Sequence, residues 1–179
     1  MLNWLDWKSP WGRLRALALS GAALGVGLWA TATPASAQAA YGSYIGIGGS
    51  FGVTDGPAGD GTSGGGVIAF RYKFLEVPIS IRAQALIGET TALVPTVSYD
   101  VPLNWQTDAY IGLGAALQDS EESTSPVGNQ TSFVLQPGID HSFPYSNVVL
   151  FGNAIIAFDA YKDSSNTAAS IQGGVGVRF

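Results

Sequence analysis

The 179-residue sequence has no cysteine, a single histidine and few charged residues. The lack of cysteine excludes a disulfide scaffold, a thiolate metal site and a lipid-anchored cysteine. Asp, Glu, Lys and Arg make up 12 % of the chain, about half of the share that is usual in soluble domains. Beyond residue 37 the sequence also lacks an apolar run long enough to predict a membrane-spanning helix.

The first 37 residues have the layout of a secretory signal peptide. A basic start leads into a mostly apolar run over residues 14–33, and Ala37 ends a small-residue A-x-A motif. We predict a helical signal peptide over residues 1–37, which directs export through the Sec pathway and is cleaved after Ala37. A membrane anchor is the alternative, but the apolar run is short and rich in glycine. The mature domain then spans residues 38–179.

The predicted mature domain is acidic. The signal peptide contains three of the 8 basic residues and one of the 13 acidic residues, so 5 and 12 remain and the net charge is −7. No basic patch is left to bind nucleic acid. No group of residues has the spacing of metal ligands, so we expect no metal and no cofactor.

Apolar and polar residues alternate with a period of two along the mature domain. This alternation predicts β-strands that have one apolar face. We predict eight strands, most of them 9–14 residues long, whereas a tilted strand needs about 9–11 residues to cross a bilayer. The predicted strands cover residues 41–53, 66–74, 79–88, 91–101, 105–117, 130–143, 147–161 and 170–179.

The last predicted strand ends the chain on an aromatic residue. Its odd positions, from Ile171 to Phe179, are apolar or glycine, and its even positions are small or polar and include Arg178. Such a strand resembles the closing strand of bacterial outer-membrane β-barrels, in which the terminal Phe helps the assembly machinery to recognise its clients. The mature domain as a whole resembles the small eight-stranded members of that family, the OmpA/OmpX-like and opacity-protein group.

The resemblance implies an all-β fold, an eight-stranded antiparallel up-and-down transmembrane β-barrel in the outer membrane. It implies two partners: outer-membrane lipid, and the barrel assembly machinery, which would bind the C-terminal strand with Phe179 as the assembly signal. In this family the connections alternate between short periplasmic turns and longer external loops. The predicted connections follow this alternation except at Glu89-Thr90, which is brief where a longer loop is expected.

Eight charged residues fall on the face opposite the apolar one. In a membrane barrel this face lines the lumen, and small side chains are needed to fit inside a narrow one. Because a buried unpaired charge is costly, we expect Arg71, Arg82 and Arg178 to pair with Asp100, Asp108 and Asp140. The predicted lumen charge network comprises Arg71, Lys73, Arg82, Asp100, Asp108, Asp140, Asp159 and Arg178.

Aromatic residues of the apolar face cluster where the predicted strands meet turns. Rings of this kind favour the membrane–water boundary. A soluble barrel or sandwich with the two faces reversed is the alternative, but its solvent face would carry many Lys and Glu, whereas this face is dominated by Gly, Ala and Ser. Phe51 and Phe133 lie toward one rim, and the predicted aromatic girdle of the other rim comprises Tyr41, Phe74, Tyr99, Trp105, Phe143 and Phe179.

Two prolines conflict with regular strands. Pro95 and Pro137 lie inside predicted strands, and a closed barrel has no free edge at which a missing N–H donor is harmless. We therefore expect bulges or shorter strands at both positions.

The sequence contains no catalytic constellation, so we expect no enzyme. His141 and Ser142 are adjacent, but their side chains point to opposite faces of a strand. The glycine-rich residues 46–52 do not match G-x-G-x-x-G. Five acidic residues of the long connections could bind cations weakly, although solvated carboxylates are the simpler interpretation: Asp55, Asp60, Asp119, Glu121 and Glu122.

A structural or surface-interaction role is favoured, because the predicted lumen is largely filled and the long connections are polar. A narrow porin-like channel for ions or small solutes is the alternative, and it would need a continuous water path. A lipid-modifying enzyme and a soluble secreted ligand-binding barrel are less favoured. We expect a monomer with no nucleic-acid partner.

Overall fold

The structure is a computed structural model of the chain. It describes residues 42–54, 64–118, 125–162 and 166–179. The predicted signal peptide, Tyr41 of the predicted girdle and the five acidic residues considered as a weak cation site lie outside the described residues. Within the described ranges, no helix is long and apolar enough to cross a membrane.

Eight antiparallel strands close into one barrel, in which each strand pairs with its neighbours in sequence and the last strand pairs with the first. This confirms the predicted eight-stranded up-and-down barrel. The strands are β1 Tyr44–Gly52, β2 Gly64–Lys73, β3 Ile79–Ile87, β4 Thr91–Asn104, β5 Thr107–Ala116, β6 Ser132–Ser142, β7 Val148–Phe158 and β8 Ala168–Arg178.

The connections give the barrel two different ends. Residues 74–78, 105–106 and 143–147 connect strands at one end, which we call the short-turn end. Residues 53–63, 88–90, 117–131 and 159–167 connect strands at the other, which we call the loop end. Three of these four loop-end connections are longer than every short turn, so the two ends follow the alternation that is typical of outer-membrane barrels.

The two faces of each strand differ sharply in exposure, because successive side chains point alternately into and out of the barrel. Along β4 the inward residues Val94 and Ser98 are 0 % and 1 % exposed, whereas the outward Val97 and Tyr99 are 56 % and 55 % exposed. The outward face is apolar on every strand, which is the arrangement of a barrel surrounded by lipid rather than by water.

The inward side chains change in character along the barrel axis. From the short-turn end toward the loop end, β3 presents Ser80, Arg82, Gln84 and Leu86 to the lumen, and all four are buried. In the same direction, the buried side chains of β4 are Asp100, Ser98, Thr96 and Val94, and those of β6 are Asp140, Gln136 and Val134. The lumen therefore contains a charged layer, then an amide layer and then an apolar layer.

Glycine is required where aromatic side chains cross the lumen. Tyr110 lies against the backbone of Gly138, and a Cβ at Gly138 would clash with that ring and lie 2.7 Å from the Cβ of Asn153. At Gly174 a Cβ would clash with the Ile47 carbonyl oxygen of β1 and lie 2.7 Å from the Phe151 ring Cζ. Part of the abundant glycine thus makes room for large rings inside a narrow barrel.

The structure corrects the expectation for the two prolines. Pro95 and Pro137 lie inside β4 and β6, which are neither bulged nor shortened there. The β4–β5 register is the same on both sides of Pro95, and the β6–β7 register is the same on both sides of Pro137. Each proline instead leaves a gap in one hydrogen-bond ladder, since the missing N–H removes one bond and the strand continues.

The β4–β5 turn lies further along the chain than predicted. Residues 102–104 were expected to turn, but β4 continues to Asn104, so that Trp105 and Gln106 form the turn. The Asp100 N–H points toward β3 and donates to the Pro78 carbonyl oxygen at 2.8 Å. Because the N–H groups of a strand point alternately to its two neighbours, residue 102 is the next one whose N–H would point toward β3. Pro102 fits there because β3 does not extend that far and no donor is required.

Candidate functional site

Arg71 is the centre of the charged layer. Its Nη2 atom lies 2.7 Å from Asp100 Oδ2 and 2.9 Å from Asp108 Oδ2, and its Nη1 atom lies 2.9 Å from Asp140 Oδ2. One guanidinium thus joins three carboxylates from three different strands. A planar group with five donors suits this role better than a lysine ammonium would.

Arg82 joins two of the same carboxylates. Its Nη2 atom lies 2.9 Å from Asp140 Oδ2 and 3.2 Å from Asp100 Oδ1, and its Nε atom donates to Ser98 Oγ at 2.9 Å. The guanidinium carbon also lies 3.3 Å from the ring centroid of Tyr110, a cation–π contact. These contacts leave little freedom for a side chain that is 2 % exposed.

The short-turn edge of the charged layer is partly exposed. Lys73 Nζ lies 2.7 Å from Asp108 Oδ2, and the two side chains are 21 % and 18 % exposed. Three cations and three carboxylates therefore form one connected cluster, which has no net charge. Neutrality matters here because the cost of burying these charges is offset only if every charge is paired.

Hydroxyl groups complete the hydrogen bonding of the carboxylates. The Tyr44 hydroxyl donates to Asp140 Oδ1 at 3.0 Å, the Ser98 hydroxyl donates to Asp100 Oδ1 at 3.0 Å, and the Ser80 hydroxyl donates to Asp100 Oδ2. Each oxygen of the two most buried carboxylates accordingly has a donor, which is the condition for a stable buried polar network.

Two residues of the predicted network lie elsewhere. Asp159 is exposed in the turn after β7, where its φ of 54° ends the strand at Phe158, at the loop end of the barrel. Asp tolerates this left-handed conformation better than most residues. Arg178 lies at the short-turn end, where its Nη2 atom donates to the Ser146 carbonyl oxygen.

The amide layer lies directly above the charged layer. Thr96 Oγ1 donates to Gln136 Oε1 at 2.7 Å, and Gln136 Nε2 donates to Asn153 Oδ1 at 3.2 Å. Across the lumen, Gln172 Nε2 donates to Ser170 Oγ at 2.7 Å. The first two hydrogen bonds link side chains of β4, β6 and β7 across the interior, and the third joins two side chains of β8.

An apolar layer closes the interior beneath the loop end. It includes Val127, which comes from the β5–β6 connection rather than from a strand and is 0 % exposed. The other members are completely or nearly completely buried side chains: Val67, Leu86, Ala92, Val94, Ala116, Val134, Ile155, Ala157, Ala160, Tyr161 and Ala168.

Residues 125–130, which we call the strap, hold Val127 in this position. Gln118 Nε2 donates to the Val127 carbonyl oxygen at 3.1 Å and to the Gln130 carbonyl oxygen at 3.2 Å. The backbone N–H of Asn129 donates to the Ala160 carbonyl oxygen at 2.9 Å, which ties the strap to the β7–β8 connection. The sequence prediction missed this contact, although Val127 is the only large apolar residue of residues 118–129.

The predicted girdle residues that the structure describes are all exposed. They lie at or next to the short-turn end, at the strand ends or in the turns. Tyr145, in the β6–β7 turn, is as exposed as Trp105 and was not predicted as a member of the girdle. The described members are Phe74, Tyr99, Trp105, Phe143 and Phe179.

His141 lies on the outward face, where it contacts Thr107 and Phe143. Its Nδ1 atom lies 3.0 Å from Thr107 Oγ1, and its ring packs edge-on against Phe143 at a centroid distance of 5.2 Å. The adjacent Ser142 points to the other face of the strand. Among the described residues, no group of His, Cys, Asp and Glu side chains could hold a metal ion.

A closed barrel with an apolar outer face and a polar, paired interior defines the class of small outer-membrane β-barrels. No protein-family model and no curated protein matches the sequence. Two solved structures share the fold. Ail, the attachment invasion locus protein of Yersinia pestis, is 19 % identical over 76 % of this chain and 97 % of that chain, with a TM-score of 0.52.

The second structure is Neisserial surface protein A (NspA). It is 13 % identical, and the match covers 77 % of this chain and 97 % of that chain with a TM-score of 0.51. Both proteins are small eight-stranded outer-membrane barrels. The chain therefore has the fold of this group.

Proposed function

We propose that this protein is an outer-membrane surface protein with a filled lumen and a structural or surface-interaction role. The observation that carries the proposal is the succession of charged, amide and apolar layers across the interior. An ion that enters from the short-turn end meets paired charges first and then a layer of buried aliphatic side chains. Such a layer offers no hydrogen bonds to replace the hydration of the ion.

The distribution of charge supports a role at the loop end. The charged layer is neutral, and the short-turn end adds one acid, Glu76, and one base, Arg178. The loop-end connections contain eight acidic residues against the single base Lys162, so they account for the whole net charge of −7. An acidic surface attracts cationic partners in a manner that salt screens.

The names of the two structural neighbours, an attachment invasion locus protein and a surface protein, are consistent with such a surface role. Both neighbours are non-enzymatic, and we propose that this chain is likewise not an enzyme. We further propose that it is a monomer, that the assembly machinery binds β8 through Phe179, and that Sec export ends in cleavage after Ala37.

Conductance in planar lipid bilayers tests the proposal against the alternative of a narrow channel. The folded protein should insert without producing steps of current in molar KCl. Stable, reproducible steps would overturn the filled-lumen proposal. A variant with Leu86→Ser and Val127→Ser makes the apolar layer polar and leaves the charged layer unchanged, and it shows which of the two layers is the barrier.

A further inference from the structure

A pocket of about 480 Å³ opens at the short-turn end, between the β4–β5 turn and the β6–β7 turn. Its walls include Trp105, Gln106, Ser142, Tyr145 and Arg178. The pocket lies outside the cluster around Arg71, and the function proposed above does not involve it. Its volume is within the range of about 300–1,000 Å³ that is usual for small-ligand sites.

The chemistry of the walls favours an anion. Arg178 is the only charged side chain among the residues that line the pocket, and none of them carries a carboxylate side chain. The Ser146 carbonyl oxygen accepts a hydrogen bond from Arg178 Nη2, which holds the guanidinium at the wall of the pocket. Amide and hydroxyl groups of Gln106, Ser142 and Asn147 supply neutral hydrogen-bonding groups around it. A guanidinium flanked by such groups suits a phosphate.

The rim of the pocket favours a lipid. Trp105 and Tyr145 stand on the two turns and are fully exposed, at 102 % and 108 %. They lie at the same end as the described girdle, where amphipathic rings lie at the level of lipid headgroups. Tyr145 also has a φ of 59°, a left-handed conformation that is costly for a residue other than glycine and that is found preferentially at sites that clamp a ligand.

We propose that this pocket binds the phosphate of a phospholipid headgroup from the leaflet on the short-turn side. Arg178 binds the phosphate, and the rings of Trp105 and Tyr145 flank the headgroup. A freely diffusing phosphate would satisfy Arg178 but would gain nothing from two exposed aromatic rings, so the lipid is the better occupant.

Trp105 provides the measurement, because it is the only tryptophan in residues 38–179. The mature barrel is folded in a phosphate-free maltoside detergent and titrated with phosphatidylglycerol, with diacylglycerol of the same acyl chains, or with inorganic phosphate. The expected result is a saturable change in Trp105 fluorescence with phosphatidylglycerol alone. An equal response to diacylglycerol would overturn the phosphate site, and an equal response to inorganic phosphate would overturn the choice of a lipid.

Two variants, each compared with a control variant, test the location of the site. Arg178→Gln should weaken the phosphatidylglycerol response at least tenfold, whereas Lys162→Gln, which removes a cation at the loop end, should leave it unchanged. Gln106→Glu places a carboxylate in the pocket without touching β8 and should weaken the response in the same way, with Gln106→Met as the uncharged control. Unchanged affinity in both Arg178→Gln and Gln106→Glu would refute the proposal, whatever the conductance of the barrel.

Discussion

Replacing Arg82 by alanine tests whether the charged layer stabilises the barrel. The change removes the ion pairs to Asp140 at 2.9 Å and Asp100 at 3.2 Å, the hydrogen bond to Ser98 and the contact with the Tyr110 ring. It leaves three carboxylates facing two cations in an interior from which water is largely excluded. Breaking a buried ion pair by removing one partner typically costs about 3–5 kcal/mol, and we expect a loss of that size.

Lys73→Ala is the matched control for Arg82→Ala. It also removes one cation from the same network, but the pair of Lys73 with Asp108 is about one-fifth exposed on each side. Partly exposed pairs contribute about 0–1 kcal/mol, so this variant should lose clearly less stability. Both variants remove one positive charge from the cluster, so a difference between their free energies of unfolding reports the effect of burial and not the effect of the lost charge.

The double variant Arg82→Met with Asp140→Asn restores neutrality, with two cations facing two carboxylates. Because the two residues are in contact, it should lose less stability than the sum of its single variants, with a coupling of about 0.5–3 kcal/mol. The free energy of unfolding is measured by urea titration in lipid vesicles, followed by Trp105 fluorescence and by the gel mobility of boiled and unboiled samples. A loss for Arg82→Ala no larger than that for Lys73→Ala would refute the reasoning.

Three further results are expected. Gly138→Ala forces a Cβ against the Tyr110 ring and should cost about 1–3 kcal/mol, whereas Gly152→Ala, whose Cβ would meet nothing nearer than 3.9 Å, should cost clearly less in the same urea titration. Val127→Asp buries a charge in the apolar layer and should release the strap, detected as new protease cleavage at residues 125–130 with the barrel intact. Deletion of Phe179 should reduce the folded fraction in outer membranes while purified protein still refolds in detergent, and equal insertion in cells would remove its role as an assembly signal.

The fold could be predicted from sequence because its main determinant is local. Alternation with a period of two needs no knowledge of distant contacts, and a one-residue slip in register would expose the wrong face of a strand. The same alternation placed Arg71, Lys73, Arg82, Asp100 and Asp108 on the inward face.

The errors of the prediction come from residues whose conformation depends on a distant neighbour. Pro102 looked like a turn residue, and a strand accepts it only because β3 begins at Ile79 and does not extend far enough to face it. Asp159 has the right parity for the lumen, but β7 ends one residue before it. Val127 had no visible partner in sequence, because the groups that bury it belong to strands and connections far along the chain.

The two proline gaps divide the barrel wall into parts of unequal strength. Pro95 interrupts the ladder between β4 and β5, and Pro137 interrupts the ladder between β6 and β7. Because the wall is closed, the two gaps divide it into two pieces, the hairpin of β5 and β6 and the six strands from β7 through β8 and β1 to β4. The hairpin is the smaller piece, and its own ladder is continuous. We expect this hairpin, together with the strap that connects its two strands, to be the unit that unfolds locally at the lowest free energy. Its outer amides should exchange with deuterium before those of β8, β1 and β2, which are joined by unbroken ladders.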